Sequence, residues 1–118
     1  MRRAAKRDES EPGIIEAFRS GGASVWQLSG RDLPDLAVGR HGVTHLVEVK
    51  SGTKQPTEGQ VASFRLWRGE PVAIVRSAAE AAMLLEGWET AQAVWAARLH
   101  QEAAPYPETP QRAPEGPP

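Results

Sequence analysis

Apolar positions recur along the chain with two different periods, and these divide it into elements. Ile14, Ile15 and Phe18 fall at helical spacing within Glu11–Arg19. Pro12 suits a first turn and Gly21-Gly22 an end, so a helix is predicted there. Ser24–Leu28 reads as a short strand closed by the turn-like Ser29-Gly30-Arg31-Asp32. Asp35–Gly39 and Val43–Lys50 flank Arg40-His41-Gly42 and form a hairpin signal. Thr57-Glu58-Gly59-Gln60 opens a second helix, with Val61, Phe64 and Trp67 along one side and Gly69 at its end. The apolar run of Pro71–Arg76 predicts a buried strand. Ser77 and Glu80 match a capping box for a helix through Leu85 that Gly87 stops. An Ala-rich helix over about Glu89–Ala103 follows, packing through Val94, Trp95 and Leu99. The order is α-β-β-β-α-β and then two helices, an α/β domain.

The ends of the chain read differently. Residues 1–10 are polar and basic, which predicts a flexible N-terminus. The stretch 104–118 is predicted to be a disordered tail, because residues 105–118 hold six of the ten prolines and almost nothing apolar. The folded domain is expected over 11–103. Its 118-residue chain, 40% hydrophobic and 25% charged, excludes a multidomain enzyme. No apolar run approaches the ~20 residues that span a bilayer, so no membrane partner is expected and the cytoplasm is the expected compartment. With no cysteine and three histidines, thiolate metal sites, disulfides and cysteine nucleophiles are excluded, and any metal would be held by oxygen. The net charge of −1 conceals an asymmetry: +3 up to residue 78 and −4 beyond it. Net charge therefore does not argue against a nucleic-acid partner.

The chemistry concentrates on the hairpin. A turn at His41-Gly42 makes opposed residue numbers sum to 83, so Asp35 faces Glu48. Opposed carboxylates repel, and one of them has its pKa raised unless a cation lies between them. Side-chain alternation brings Lys50 to the same face as Glu48, with Val47 and Val49 on the other. A hard divalent cation such as Mg²⁺ takes carboxylate oxygens, neutralises phosphate charge and lowers the pKa of a bound water. Lys50 could orient that water or stabilise charge on the phosphate. The set suits phosphodiester hydrolysis.

Pro34-Asp35 followed by Glu48-Val49-Lys50 resembles the motif of the PD-(D/E)XK nuclease superfamily. The resemblance covers about Glu11–Arg76 and is closest to its VRR-NUC and Holliday-junction-resolvase branches, including short phage-encoded members. It implies a restriction-endonuclease-like αβββαβ core with a central mixed sheet, to which this chain adds C-terminal helices. It further implies that Asp35, Glu48 and the Val49 carbonyl ligate Mg²⁺ or Mn²⁺, and that Lys50 positions or activates water. Glu11 would support the metal, or a second one, through water, and Gln60 would match the glutamine after the lysine. The implied activity is structure-specific cleavage of branched or duplex DNA, leaving 5′-phosphate and 3′-hydroxyl ends in a bacterial or phage-infected cell. One active site per small chain makes a homodimer the expected cutter of two strands.

Competing readings attach to several of these residues. Glu16 rivals Glu11 but lies off the Ile14/Ile15 side, and Asp32 rivals Asp35 but hairpin parity favours Asp35. Gln60 also completes a capping box with Thr57. His41 and His45 read as surface residues of the hairpin. Trp26, Trp67, Trp88 and Trp95 read more simply as core or interface packing than as base-stacking platforms. Arg7, Ser29, Arg31, Arg40, Lys54, Arg65 and Arg68 are the candidate nucleic-acid contacts, within a basic set that also includes Arg2, Arg3 and Lys6. A catalytically silent nucleic-acid-binding or assembly module is the main alternative function. A nuclease for single strands, flaps or RNA is another.

Overall fold

A computed structural model of the chain describes residues 7–101. Elements follow in the order α1 (Glu11–Ser20), β1 (Ser24–Gln27), β2 (Leu36–Arg40), β3 (Val43–Val49), α2 (Glu58–Leu66), β4 (Ala73–Val75) and α3 (Ala78–Gln101). The strands form one four-stranded mixed sheet in the order β1-β2-β3-β4. β1, β2 and β3 pair antiparallel, and β4 runs parallel to β3 after the α2 crossover. The α/β class agrees with the sequence pattern, and the sheet is mixed, as the resemblance implies. The expected 104–118 tail lies outside the described residues.

The β2–β3 hairpin has the predicted register: Arg40 opposes Val43, Val38 opposes His45 and Leu36 opposes Val47. His41 and Gly42 both have positive φ, +54° and +78°, as a two-residue type I′ turn requires. This turn sets the register for the whole ladder, and therefore which side chains share a face.

On one face of the sheet Val25, Leu36, Val38, Val47, Val49 and Val75 are buried with Ile14, Ile15 and Phe18 of α1 and Ala81 and Leu85 of α3. α1 forms because Pro12 and the acidic Glu11 suit its first turn and its apolar residues align on one side. Gly21 ends it and lies so close to Leu85 that a β-carbon there would stand 2.4 Å from Leu85 Cδ1. A side chain at this position would force Leu85 to shift, so the glycine eases the close approach of α1 to Leu85.

Several expectations change. Gly87 does not stop a helix: α3 is continuous from Ala78 to Gln101, through the junction between the two expected helices. A helical glycine costs ~1 kcal/mol relative to alanine, which long alanine-rich flanks can offset, and Gly87 has no left-handed φ to end the helix. By contact the chain divides at Leu85/Glu86 into two units, the first carrying the sheet. His45 is buried, because parity places it on the inward face opposite Val38, and its Nδ1 lies 2.6 Å from Glu70 Oε1. Trp26 is 74% exposed and Trp67 is also exposed, so neither is in the core. The Pro71–Arg76 strand shortens to Ala73–Val75, and only Val75 is fully buried. Finally, Arg7–Ser10 are tied to the fold by the hydrogen bonds described below, in a stretch the composition assigns to a flexible N-terminus.

Candidate active site

At Leu36 the β2–β3 ladder stops. Continued, it would set Pro34 opposite Val49, and the Val49 N–H instead donates to Asp35 Oδ2 at 2.8 Å. One carboxylate oxygen of Asp35 is thus held by backbone at the end of the hairpin. Asp35 and Glu48 line one cleft of about 440 Å³ with Val49, Lys50, Lys54, Gln60, Arg7, Asp8 and Glu9. Asp32, the competitor of Asp35, lies elsewhere, with its carboxylate against Gly59 at the start of α2.

Glu48 is 2% exposed, in the strand flanked by β2 and β4. Its Oε2 accepts a hydrogen bond from Gln60 Nε2 at 2.8 Å and lies 3.2 Å from Lys50 Nζ. Its Oε1 is buried with no hydrogen-bond partner. Desolvation, together with the nearby Asp35 charge, pushes the Glu48 carboxyl up to about 7, against the pull of Lys50 and Gln60. An unpartnered buried carboxylate oxygen is costly, and a hard cation shared with Asp35 would offset both the desolvation and the repulsion. The donor set is all oxygen, as such an ion prefers.

Gln60 serves both of its readings at once. Its backbone N–H donates to Thr57 Oγ1 and its Oε1 accepts from the Thr57 N–H, which completes the capping box. The same side chain then spends its Nε2 on Glu48. The start of α2 is thereby coupled to the orientation of the carboxylate.

Glu11 is 1% exposed and does not line the cleft. Its Oε2 accepts from Arg7 Nη2 at 2.8 Å, Arg7 Nε at 3.0 Å and Gln27 Nε2 at 2.9 Å, while Oε1 has no partner. Glu16, its competitor, is exposed and accepts from Ser20 Oγ. Among the described residues no three His, Asp or Glu side chains converge as a metal-binding group.

Of the expected nucleic-acid contacts, only Arg7 and Lys54 line the cleft. Ser29, Arg31, Arg65 and Arg68 are exposed and lie outside its lining. Arg40 is at the far end of β2, about 16 Å from Asp35 by strand rise. Lys54 lies in a loop held from behind by Arg76, whose Nη1 donates to the Gly52 and Lys54 carbonyls at 3.0 and 2.6 Å.

Two residues escaped the sequence reading: Asp8, which lines the cleft, and Gln27, which does not. Asp8 accepts from Ser10 N and Oγ at 2.8 and 2.6 Å and from Ser51 N and Oγ at 3.0 Å each, stapling the N-terminal segment to the loop after Lys50. Burial opposes its ionisation, but these four donors outweigh burial and hold the carboxyl below the usual range. Gln27 is exposed at the end of β1 and donates to the buried Glu11, a partner sixteen residues away that spacing in the strand does not announce. No protein-family model matches the chain, and no curated protein matches its sequence. Among the described residues no helix is long and apolar enough to cross a membrane.

Proposed function

We propose that the protein is a divalent-metal-dependent DNA endonuclease of the PD-(D/E)XK type. The observation that carries this reading is the buried, unpartnered Glu48 Oε1 beside Asp35, with Lys50 3.2 Å from the other Glu48 oxygen. A module that only bound nucleic acid would gain nothing from an orphaned carboxylate oxygen paired with a second acid.

Asp35, Glu48 and the Val49 carbonyl would hold Mg²⁺ or Mn²⁺. When bound, the ion supplies neutralisation of phosphate charge and acidification of water. Gln60 restrains Glu48 through Oε2 and leaves Oε1 for the ion. Lys50, with 16% of its side chain exposed, presents an ammonium that can hold the attacking water or donate to a phosphate oxygen. Lys54 adds positive charge for the backbone of the substrate. The resemblance to resolvases directs the substrate preference to branched DNA and the assembly to a homodimer with one site per chain.

The test is a cleavage panel of four-way junction, flap, duplex, single-stranded DNA and RNA, with Mg²⁺, Mn²⁺ or EDTA. Metal-dependent cutting that favours the junction and disappears in folded Asp35→Asn and Lys50→Ala variants is expected. Full activity in EDTA, or in either variant, refutes the mechanism. Metal-dependent cutting of single strands or RNA in preference to the junction refutes the substrate assignment alone.

A further inference from the structure

Resting on the reading of Asp35 and Glu48 as metal ligands, we infer that Arg7 stands in place of a second cation, so that the site takes one divalent ion. Three oxygens converge on its guanidinium. Two of its nitrogens, Nε and Nη2, meet Glu11 Oε2 at 3.0 and 2.8 Å, Nη1 meets the Leu28 carbonyl at 3.0 Å and Nη2 also meets the Asp35 carbonyl at 3.2 Å. One carboxylate and two carbonyls are what a hard cation would also collect. The two carbonyls belong to residues at the two ends of the β1–β2 connection, closed by the 2.7 Å bond from Leu28 N to Asp35 O. Arg7 therefore spans from the buried Glu11 to the backbone of a proposed metal ligand.

The arrangement differs from a surface helix pair, although Arg7 and Glu11 have i,i+4 spacing. Glu11 is almost wholly buried, Arg7 is 36% exposed and lines the cleft, and Glu11 does not. Glu11 thus faces the cleft through a fixed positive charge. The buried Glu11 Oε1 has no partner, so acid capacity for a further ion exists once the guanidinium is removed. Gln27 holds the same Glu11 oxygen that Arg7 uses, which keeps the carboxylate aimed at Arg7. The position of Arg7 is itself set from the next residue, since Asp8 is stapled to Ser51.

The experiment counts Mn²⁺ bound to the full chain without DNA, by calorimetry and electron paramagnetic resonance, with circular dichroism as the folding control. The wild type should bind one Mn²⁺ per chain, Arg7→Ala two, and the double variant Arg7→Ala/Glu11→Gln one again. Glu11→Gln alone should leave the wild-type Mn²⁺ affinity within about twofold, because Glu11 contacts Arg7 and not the ion. Two ions in the wild type, or a tenfold or greater loss of affinity in Glu11→Gln, overturns the inference even if Arg7→Ala does not fold. A folded Arg7→Ala with a single ion also overturns it and leaves the metal reading intact. No Mn²⁺ on the wild type overturns the metal reading itself, and this inference with it.

Discussion

Replacing Glu48 by glutamine should stabilise the metal-free protein while removing its proposed function. The Glu48 carboxyl is raised from an ordinary 4.5 to about 7 by burial and by Asp35. A raised carboxyl means that the folded chain keeps a proton which the unfolded chain has already released. Metal-free stability is then fully present below about pH 4.5, falls as pH rises toward 7, and above that is reduced by the whole shift. At about 1.4 kcal/mol per pKa unit, the ionised Glu48 costs the fold on the order of 3 kcal/mol near pH 8. Glutamine keeps the shape of the neutral acid and an oxygen for Gln60, and it never ionises. Urea denaturation in EDTA should show Glu48→Gln more stable than the wild type by about 1–3 kcal/mol near pH 8, with the gap closing near pH 4.5. Added Mn²⁺ should reverse the order, because only the wild type gains binding energy, about 2.7 kcal/mol at a hundredfold excess over Kd. A Glu48→Gln variant less stable than the wild type near pH 8 without metal would refute the reasoning. So would a wild type whose stability Mn²⁺ leaves unchanged.

Three further outcomes follow from the packing. Gln60→Glu keeps an acceptor for the Thr57 N–H but replaces the donor on Glu48 with a like charge. It should lower metal-free stability by about 1–3 kcal/mol near pH 8, measured by urea denaturation, and by less under acid conditions where Glu48 is protonated. Phe18→Ala empties the largest fully buried side chain from between α1 and the sheet and should cost about 3–5 kcal/mol, read as a lowered denaturation midpoint at unchanged slope. Gly87→Ala meets nothing within 4 Å and removes a helix-weakening residue from α3, so helix content by circular dichroism and thermal stability should rise, the latter by about 1 kcal/mol at most.

Much of the site was legible because it lies on the one element whose geometry a sequence specifies tightly. A two-residue turn at His41-Gly42 with period-two alternation sets which residues oppose each other as far as Leu36 and Val47, and Asp35, Glu48 and Lys50, just beyond the last pair, line one cleft. The same parity places His45 inward, opposite Val38, so its burial is legible in the pattern even though a hairpin histidine reads as a surface residue. Gly87 misled because glycine stops a helix when the backbone after the last turn goes left-handed, as it does at Gly22 just past Gly21, and Gly87 does not adopt that conformation. Arg7 was identified as a basic residue near phosphate, while its partners come from positions 11, 28 and 35, which spacing along the chain cannot bring together.

By itself, then, the sequence determined the α/β order, the hairpin register and the acid pair with its lysine, because local turn chemistry and periodic burial act over a few residues. Tertiary structure alone decided that Glu48 is buried with one oxygen unpartnered, that Gln60 caps a helix and holds that carboxylate, and that Arg7 stands between Glu11 and the cleft. Those outcomes depend on desolvation and on distances between segments remote in the chain, and neither quantity is encoded in any single stretch of it.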